Sequence, residues 1–458
     1  MRRRTIALLT AAALIAGVSA CTPAVEDPPP SSASSSESAE PATVELPDSD
    51  LGSASQWVLD IINGEHALTT AEVEERFAPS FIEVLGTADD VVSAFAEGVA
   101  LGPFRPVGYE EDAAGAATRL QTEGGDYLLS VTLDAELLIT GAALAVAPEI
   151  PEQAESWDEL TERADAMEAP TNVTVFDVSD GAVADPIYSA GPLTGPQPSG
   201  SMFKLFVLLA VVAAIEAGEL TWDTSLTIDD GVRSLPSGVL QNEPDGTEVS
   251  VRDAATGMIS ISDNTATDLL IRAVGRDAVE AMIIEHAPDG ADASTPMLTT
   301  REFFEIGWGD EGLADTWAAA DDSERTALLG QVADTPLTTQ ATDVTEPVWD
   351  RDVDWFFSAA DLARVHLALA QAARTDAGAP VTEILTANPG LSVGDAWETV
   401  AFKGGSSIGV LGGSWYLASA DSSFVVVVQS ATTDESHAQG QTSALLLAGD
   451  AAGLLAQE

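Results

Sequence analysis

The sequence predicts an α/β protein in which a small α+β unit precedes a larger α/β unit. Its 458 residues are enough for about three folding units, and 45% of them are hydrophobic, which is enough for full-sized cores. Residues 52–148 change from a helical period to a period of two. Residues 171–458 begin and end with strand patterns that enclose helical segments. These observations together predict two folded units of unequal size.

The N-terminus has the pattern of a secretory signal. Arg2–Arg4 precede an apolar run that is too short to span a bilayer permanently, and small residues follow it. The run ends in Val-Ser-Ala before Cys21, which resembles the lipobox of bacterial lipoproteins. The resemblance implies removal of residues 1–20 and lipid on Cys21, which would anchor the protein to the outer face of the cell membrane. The alternative is a plain secreted protein with a free cysteine.

Behind this signal we expect a linker and a small accessory domain. Residues 21–51 are rich in Pro, Ser, Ala and Glu and cannot bury a core, so they predict a flexible linker. In residues 52–148, helices are expected at Ser55–Ile62, Thr70–Leu85 and Asp89–Leu101, and strands at Tyr127–Leu133 and Leu137–Val146. Helices followed by a curved sheet resemble the cone-shaped NTF2-like and ketosteroid-isomerase fold. A binding or spacer role is favoured over isomerase activity.

The larger unit follows a connecting helix predicted within residues 149–170. Strand patterns at Asn172–Val178 and near Tyr188 predict a hairpin at the start of residues 171–458. The region closes with strands expected near 399–410, 414–419 and 423–429 and a helix near 440–456. We therefore expect a sheet built from both ends of the region.

Composition excludes several classes of function. The 74 acidic and 18 basic residues give a net charge of −56, which argues against nucleic acid or an anionic membrane face as an electrostatic partner. One cysteine excludes an internal disulfide framework and a cysteine-based zinc site. The four histidines share no metal-ligand spacing, so no metal site is expected. No organic cofactor is implied either. The composition does not indicate which oligomeric state the protein adopts.

The first pattern that carries chemistry is Ser201-Met-Phe-Lys204 at the start of a strongly apolar helix, predicted over Leu205–Ile215. A serine three residues before a lysine at a helix N-terminus places both side chains on one face, one turn apart. Desolvation by the apolar helix would lower the pKa of the lysine and allow it to accept the serine proton. Alone, the pattern is equally that of an N-cap serine beside a lysine whose ammonium reaches water.

Two further patterns follow along the chain. Ser262–Asn264 leads into another helix, where a loop serine can relay a proton and an asparagine amide can hold a substrate carbonyl; a simple N-cap is the alternative. Lys403 precedes small residues, Gly404–Ser407, in a strand pattern. Small residues there would let a substrate lie along the strand edge, with backbone N–H groups as oxyanion donors. A glycine-rich bulge or turn is the alternative.

In this order, the three patterns resemble those of the class A β-lactamases and penicillin-binding proteins. Both lysines of the chain, Lys204 and Lys403, fall within them. The resemblance covers about residues 171–458. The whole layout is similar to a lipoprotein subgroup that joins an isomerase-like domain to a β-lactamase-like domain and includes a protein of clavulanic-acid gene clusters.

The resemblance implies a β-lactamase/DD-peptidase-like fold and a serine hydrolase that works through an acyl-enzyme. Ser201 would be the nucleophile, Lys204 its proton acceptor and Ser262 the shuttle to the leaving group. The backbone N–H groups of Ser201 and Ser406 would form the oxyanion hole, and Lys403 with Ser406 or Ser407 would attract a substrate carboxylate. The substrate-binding residues implied are Asn264, Lys403, Gly405, Ser406 and Ser407.

The sequence also departs from this family pattern. It contains no omega-loop Glu-x-x-Leu-Asn, which class A enzymes use to activate the deacylating water. Glu302, Glu305 and Glu346 are possible substitutes in the long interval before Lys403. Gly404 stands where the family prefers a hydroxyl residue. We therefore expect intact acylation chemistry and slow deacylation.

Several functions remain open at this point. On the same fold, the substrate is a β-lactam, an acyl ester or a peptidoglycan peptide, the last for a D-alanyl-peptidase. Two Gly-x-Ser-x-Gly matches, 390–394 and 405–409, permit an α/β-hydrolase nucleophile elbow, which requires a strand before and a helix after. A non-catalytic surface binding lipoprotein is the third alternative, although it has no physical need for intact Ser201, Lys204 and Lys403.

Overall fold

The computed structural model describes residues 43–112, 115–122, 124–134, 136–147, 153–309, 312–333, 335–391, 393, 396–434 and 441–457. The predicted signal and lipidation at Cys21 lie outside the described residues, as does most of the predicted linker. The described residues divide into two compact units, 43–147 and 153–457. No helix in these ranges is long and apolar enough to cross a membrane.

The first unit consists of helices followed by an antiparallel sheet of four strands in sequence order. The helices are α1 (Asp50–Ile62), α2 (Thr70–Arg76), α3 (Pro79–Leu85) and α4 (Ala88–Val99). The strands are β1 (Arg105–Asp112), β2 (Gly115–Thr122), β3 (Gly125–Leu133) and β4 (Ile139–Val146). Fully buried Val58 of α1 packs with Leu120 and Val131 of the sheet, so an apolar core lies between helices and strands.

The structure of this unit differs from the sequence predictions in two ways. The single helix expected at Thr70–Leu85 is two helices, because Pro79 lacks an N–H donor and begins α3 instead of continuing α2. Strands β1 and β2 were not predicted. Pro106 and Gly108 interrupt the alternation of β1, and its register with β2 shifts between these two residues.

The second unit is built around a five-stranded antiparallel sheet in the order β11–β12–β13–β5–β6. The strands of this unit are β5 (Thr171–Asp177), β6 (Tyr188–Ala190), β7 (Gln197–Pro198), β8 (Ser225–Thr227), β9 (Glu248–Ser250), β10 (Phe356–Phe357), β11 (Thr399–Ser407), β12 (Val410–Ala418) and β13 (Ser423–Ala431). Strand β13 pairs with β5, which confirms the predicted sheet made from both ends of the region.

Helices cover both faces of this sheet. They are α5 (Trp157–Asp165), α6 (Lys204–Glu216), α7 (Val251–Ser260), α8 (Asn264–Val274), α9 (Arg276–His286), α10 (Ala291–Ser294), α11 (Thr300–Trp308), α12 (Leu313–Ala319), α13 (Asp322–Ala333), α14 (Ala359–Ala372), α15 (Val381–Thr386) and α16 (Leu446–Leu455). Val426 and Val428 of β13 pack in a cluster with α5 and α16, and Val425 and Val427 pack in the cluster of α6 and α14. The alternation of β13 thus gives the sheet two buried faces.

The α/β-hydrolase alternative is wrong for the second Gly-x-Ser-x-Gly match. Residues 405–409 form the end of β11 and the turn into β12, so a strand follows where an elbow requires a helix. In the first match, Ser392 lies outside the described residues.

Candidate active site

Ser201 lies on a one-turn 3-10 helix, Gly200–Phe203, directly before α6. Its neighbours Met202 and Phe203 are fully buried, and the Phe203 ring stacks on Trp355 with ring centroids 3.9 Å apart. Ser201 itself is only partly buried. The turn is therefore held by its apolar neighbours while the serine reaches solvent.

Lys204 is fully buried, and its ammonium group bonds to the loop that precedes α8. Lys204 Nζ donates to the Ser262 carbonyl oxygen at 2.6 Å, to Ser262 Oγ at 3.1 Å and to Asn264 Oδ1 at 2.6 Å. Burial lowers the pKa of Lys204 to about 7, against the attraction of Asp263 and Asp268. Within the described residues, no hydrogen bond joins Lys204 to Ser201 Oγ. The two predicted partners lie three residues apart in the chain, but the lysine faces Ser262.

Ser262 lies in a strained loop between α7 and α8. Its φ of 57° falls in the left-handed region, which is unusual for a residue with a side chain. Ser237 Oγ donates to the Ser262 carbonyl oxygen at 2.8 Å. Asp263 caps α8 through Ala266 N and also accepts N–H bonds from the loop at Val239 and Leu240. The N-cap interpretation of this pattern is therefore correct, and the cap is what fixes the loop.

Asn264 has both ends of its amide bonded. Its Oδ1 accepts from Lys204, and its Nδ2 donates to the Leu235 carbonyl oxygen at 3.0 Å. The side chain therefore orients the lysine in this structure. Its predicted contact with a substrate amide stays a prediction, because one of these bonds would have to open first.

Lys403 approaches Ser262 from the sheet side. Its Nζ donates to Ser262 Oγ at 3.0 Å and to the Gly404 carbonyl oxygen at 2.7 Å, and the residue is 2% exposed. Burial and, next, repulsion by Lys204 hold the pKa of Lys403 well below that of an ordinary lysine. Ser262 Oγ therefore bonds to both lysines of the chain, which places it where a proton relay needs to be.

Strand β11 is an edge strand that contacts the Ser201 turn through Gly405. A Cβ at Gly405 would lie 1.9 Å from the Ser199 carbonyl oxygen and 2.8 Å from Ser201 N, so only glycine permits this approach. The next residue, Ser406, is partly buried and faces the opposite side of the strand from Gly405. The turn and the strand edge thus lie backbone to backbone, as the predicted oxyanion hole requires.

Asp354 is a buried site residue that the sequence analysis missed. Its Oδ1 accepts the N–H groups of Ser199, Gly200 and Trp355 at 2.7–3.1 Å, and its Oδ2 accepts the hydroxyl of Ser407 at 3.2 Å. Burial raises the pKa of Asp354 to about 6. The carboxyl group fastens the Ser201 turn to β11. No sequence signal distinguishes it, because it follows Asp350 and Asp352 in an acidic stretch.

The glutamates proposed as substitutes for the deacylating base are bonded elsewhere. Glu302 pairs with Arg276 at 2.7 Å and forms a capping box at the start of α11. Glu305 accepts four hydrogen bonds from Thr338 and Thr339, which lower its pKa against the opposing effect of burial. Glu346 pairs with Arg351 at 3.0 Å. None of these three contacts the lysines.

A family model described as the beta-lactamase enzyme family matches residues 159–388, half of the chain. The chain belongs to this family. The match includes Ser201, Lys204 and Ser262 and ends before Lys403. A second model, described as the ORF 12 gene product N-terminal domain, matches residues 46–139.

Several solved structures are similar to the part of this chain that they cover. A beta-lactamase from Sphaerobacter thermophilus is 21% identical, with a TM-score of 0.44, over 65% of this chain and 97% of its own. PBP-A is 17% identical, with a TM-score of 0.40, over 64% of this chain and 94% of its own. L2 in complex with relebactam is 18% identical, with a TM-score of 0.43, over 66% of this chain and 96% of its own. No curated protein matches the chain significantly.

The described residues contain no group of His, Cys, Asp and Glu side chains with the geometry of a metal site. The polar groups around Ser262 are two lysines, an asparagine amide and backbone oxygens. Such a set can move protons between hydroxyl and amine groups.

Proposed function

We propose that the protein is a serine hydrolase that reacts with β-lactams or related amides and esters through an acyl-enzyme on Ser201. The observation that carries the proposal is that Ser262 Oγ lies 3.1 Å from Lys204 Nζ and 3.0 Å from Lys403 Nζ. Lys204 follows the partly buried Ser201 by three residues. Burial of a lysine ammonium group costs desolvation free energy and lowers its pKa. A lysine with a lowered pKa can be neutral near pH 7 and accept the proton of a serine.

In the proposed reaction, Ser201 Oγ adds to the substrate carbonyl carbon while its proton passes to neutral Lys204. The bond from that carbon to the leaving nitrogen or oxygen then breaks, and the leaving atom takes the proton of Ser262 Oγ. Lys204 or Lys403 returns a proton to Ser262, and water later hydrolyses the ester on Ser201. The N–H groups of Ser201 and Ser406 would stabilise the oxyanion.

Slow hydrolysis of the acyl-enzyme is part of the proposal. The carboxyl groups that act electrostatically on Lys204 are Asp263 and Asp268, and both accept backbone N–H bonds. Neither is a free base for a deacylating water. This observation favours a D-alanyl-peptidase or esterase over an efficient β-lactamase.

The test is intact-mass measurement of the full-length protein with benzylpenicillin and with a small aryl ester, beside Ser201→Ala. We expect an adduct that lasts for minutes and is absent from the variant. Rapid loss of penicillin without an adduct would show efficient turnover instead. If the wild type forms no adduct and turns over none of the substrates, the catalytic proposal is overturned and a binding lipoprotein is left.

Two further parts of the proposal concern the N-terminal region. The order of elements in the first unit, helices followed by a sheet, supports an NTF2-like accessory domain, for which a binding or spacer role is proposed. The signal pattern and Cys21 support a lipid anchor on the outer face of the membrane. Cys21→Ala should move the protein from the membrane fraction to the soluble fraction of its host, and retention in the membrane would contradict the anchor.

A further inference from the structure

The segment of β11 beside Lys403 departs from the family pattern, because Gly404 has no side chain where a hydroxyl residue is usual. We propose that this segment forms an uncharged subsite and that the enzyme takes acyl esters or amides without a carboxylate at that position. The inference rests on the function proposed above, since it names the substrate class of the same site.

The space above Gly404 is filled by an aromatic ring. A Cβ at Gly404 would lie 2.8 Å from Phe402 Cζ, so ring carbon occupies the place where a hydroxyl side chain would begin. The Phe402 ring is held there by stacking on Trp415, with ring centroids 4.8 Å apart. An apolar ring offers no hydrogen bond to a carboxylate, which would lose its hydration without compensation.

The hydroxyl of Ser407 is directed away from a substrate anion. It donates to Asp354 Oδ2 at 3.2 Å, and a hydroxyl has a single proton to donate. The acceptor is itself a carboxyl group, so an ionised Asp354 adds negative charge behind the strand. The sequence predicts that Ser406 or Ser407 helps to bind a substrate carboxylate, and this hydrogen bond does not support that role for Ser407.

The two lysines supply less positive charge than their number suggests. Two of the three hydrogens on Lys403 Nζ are directed to Ser262 Oγ and to the Gly404 carbonyl oxygen. Burial and repulsion by Lys204 lower the pKa of Lys403, and burial lowers that of Lys204 to about 7. Because the whole chain carries a net charge of −56, an anionic substrate gains little from electrostatics on approach.

The test compares two chromogenic esters that differ in one carboxylate on the leaving group, 4-nitrophenyl butyrate and 3-carboxy-4-nitrophenyl butyrate. The full-length protein is assayed with each, rates with Ser201→Ala are subtracted, and each kcat/KM is divided by the hydroxide rate constant of its ester. We expect the uncharged ester to be favoured by about tenfold, the size of one poorly solvated charge interaction. Equal or faster reaction of the carboxylate ester would overturn the inference.

A double variant, Phe402→Leu with Gly404→Ser, sharpens the test by making room and adding the missing hydroxyl. It should reduce the preference to about twofold, because the carboxylate regains a donor worth roughly one hydrogen bond. Phe402→Leu alone makes the same room without a donor and should keep most of the preference. If the double variant does not fold by circular dichroism, the wild-type ratio alone decides. Absence of any Ser201-dependent reaction with either ester, and of any penicillin adduct, would instead overturn the proposed function and this inference with it.

Discussion

The two units of the protein bury different kinds of side chain. Among the described residues of the first unit, the buried polar side chains are the hydroxyls of Ser55 and Thr118. The second unit buries both lysines of the chain together with several aspartates: Asp263, Asp268, Asp354, Asp361 and Asp450. Taking a charge out of water costs several kcal/mol unless hydrogen bonds replace the water. The second unit therefore contains buried ionisable groups that selection for folding stability alone would not favour.

The largest expected effect separates activity from stability at Lys204. Lys204→Met keeps the volume and removes the buried charge, so acylation of Ser201 should fall by about 10²–10⁴-fold, the usual contribution of a general base. The free energy of unfolding should fall by no more than about 1–3 kcal/mol, because the removed desolvation cost offsets part of the loss of the hydrogen bonds to Ser262 and Asn264. Intact mass and urea unfolding measure the two quantities. A variant that loses several kcal/mol of stability and keeps its acylation rate would show that Lys204 is structural.

A second test concerns the contact between the Ser201 turn and the sheet edge. Gly405→Ala would place a Cβ 1.9 Å from the Ser199 carbonyl oxygen, so the backbone must shift, and we expect acylation to fall by about 10–100-fold. Gly449→Ala in α16 is the control, because a Cβ at that position meets no other atom within 4 Å. Equal losses in the two variants would contradict the assigned role of Gly405.

A change in the first unit tests the other side of the comparison. Leu120 is fully buried in an apolar cluster, so Leu120→Ala should lower the free energy of unfolding of that unit by about 2–5 kcal/mol. Chemical unfolding with a probe in the first unit, such as Trp57 fluorescence, measures it. A loss below about 1 kcal/mol would mean that this core is not closely packed.

The smallest expected effect is a dependence of stability on pH that Asp354 contributes. Burial raises the pKa of Asp354 from 3.8 to about 6. Its contribution to the free energy of unfolding is therefore fully present below pH 4 and is lost as pH rises through 6. In Asp354→Asn an oxygen remains for the three N–H groups, but the titrating carboxyl group is gone. The decrease in the free energy of unfolding between pH 4.5 and 7.5 should therefore be smaller than in wild type by on the order of 2 kcal/mol. Urea unfolding at pH 4.5 and 7.5 measures it, and an unchanged slope would mean that Asp354 does not titrate in this range.

The sequence predicted those parts of the site whose signals are local. The residues Ser201, Lys204, Ser262 and Lys403 lie in short patterns, and the structure brings the last three together around one hydroxyl. Asp354 could not be predicted in this way, because its partners Ser199 and Gly200 are about 155 residues away and are backbone groups with no sequence signature.

The same distinction applies to the fold. The terminal strands of the second unit are long runs of β-branched and apolar residues, as in Phe424–Val428, and were predicted near their observed positions. Strand β1 contains Pro106, Gly108 and charged residues. Its partner β2 has no clearer alternation of apolar and polar residues than β1 itself. Tertiary pairing, not local preference, forms these two strands.

The central claim is that a buried lysine of lowered pKa activates Ser201, and the pH dependence of the acylation rate constant tests it most directly. With an uncharged ester and the full-length protein, the rate constant should rise about tenfold per pH unit and level off above pH 7, because only neutral Lys204 accepts the proton. In Lys204→Met this step near pH 7 should be absent. A wild-type profile that is flat from pH 5 to 9, or an adduct on a residue other than Ser201, would contradict the account.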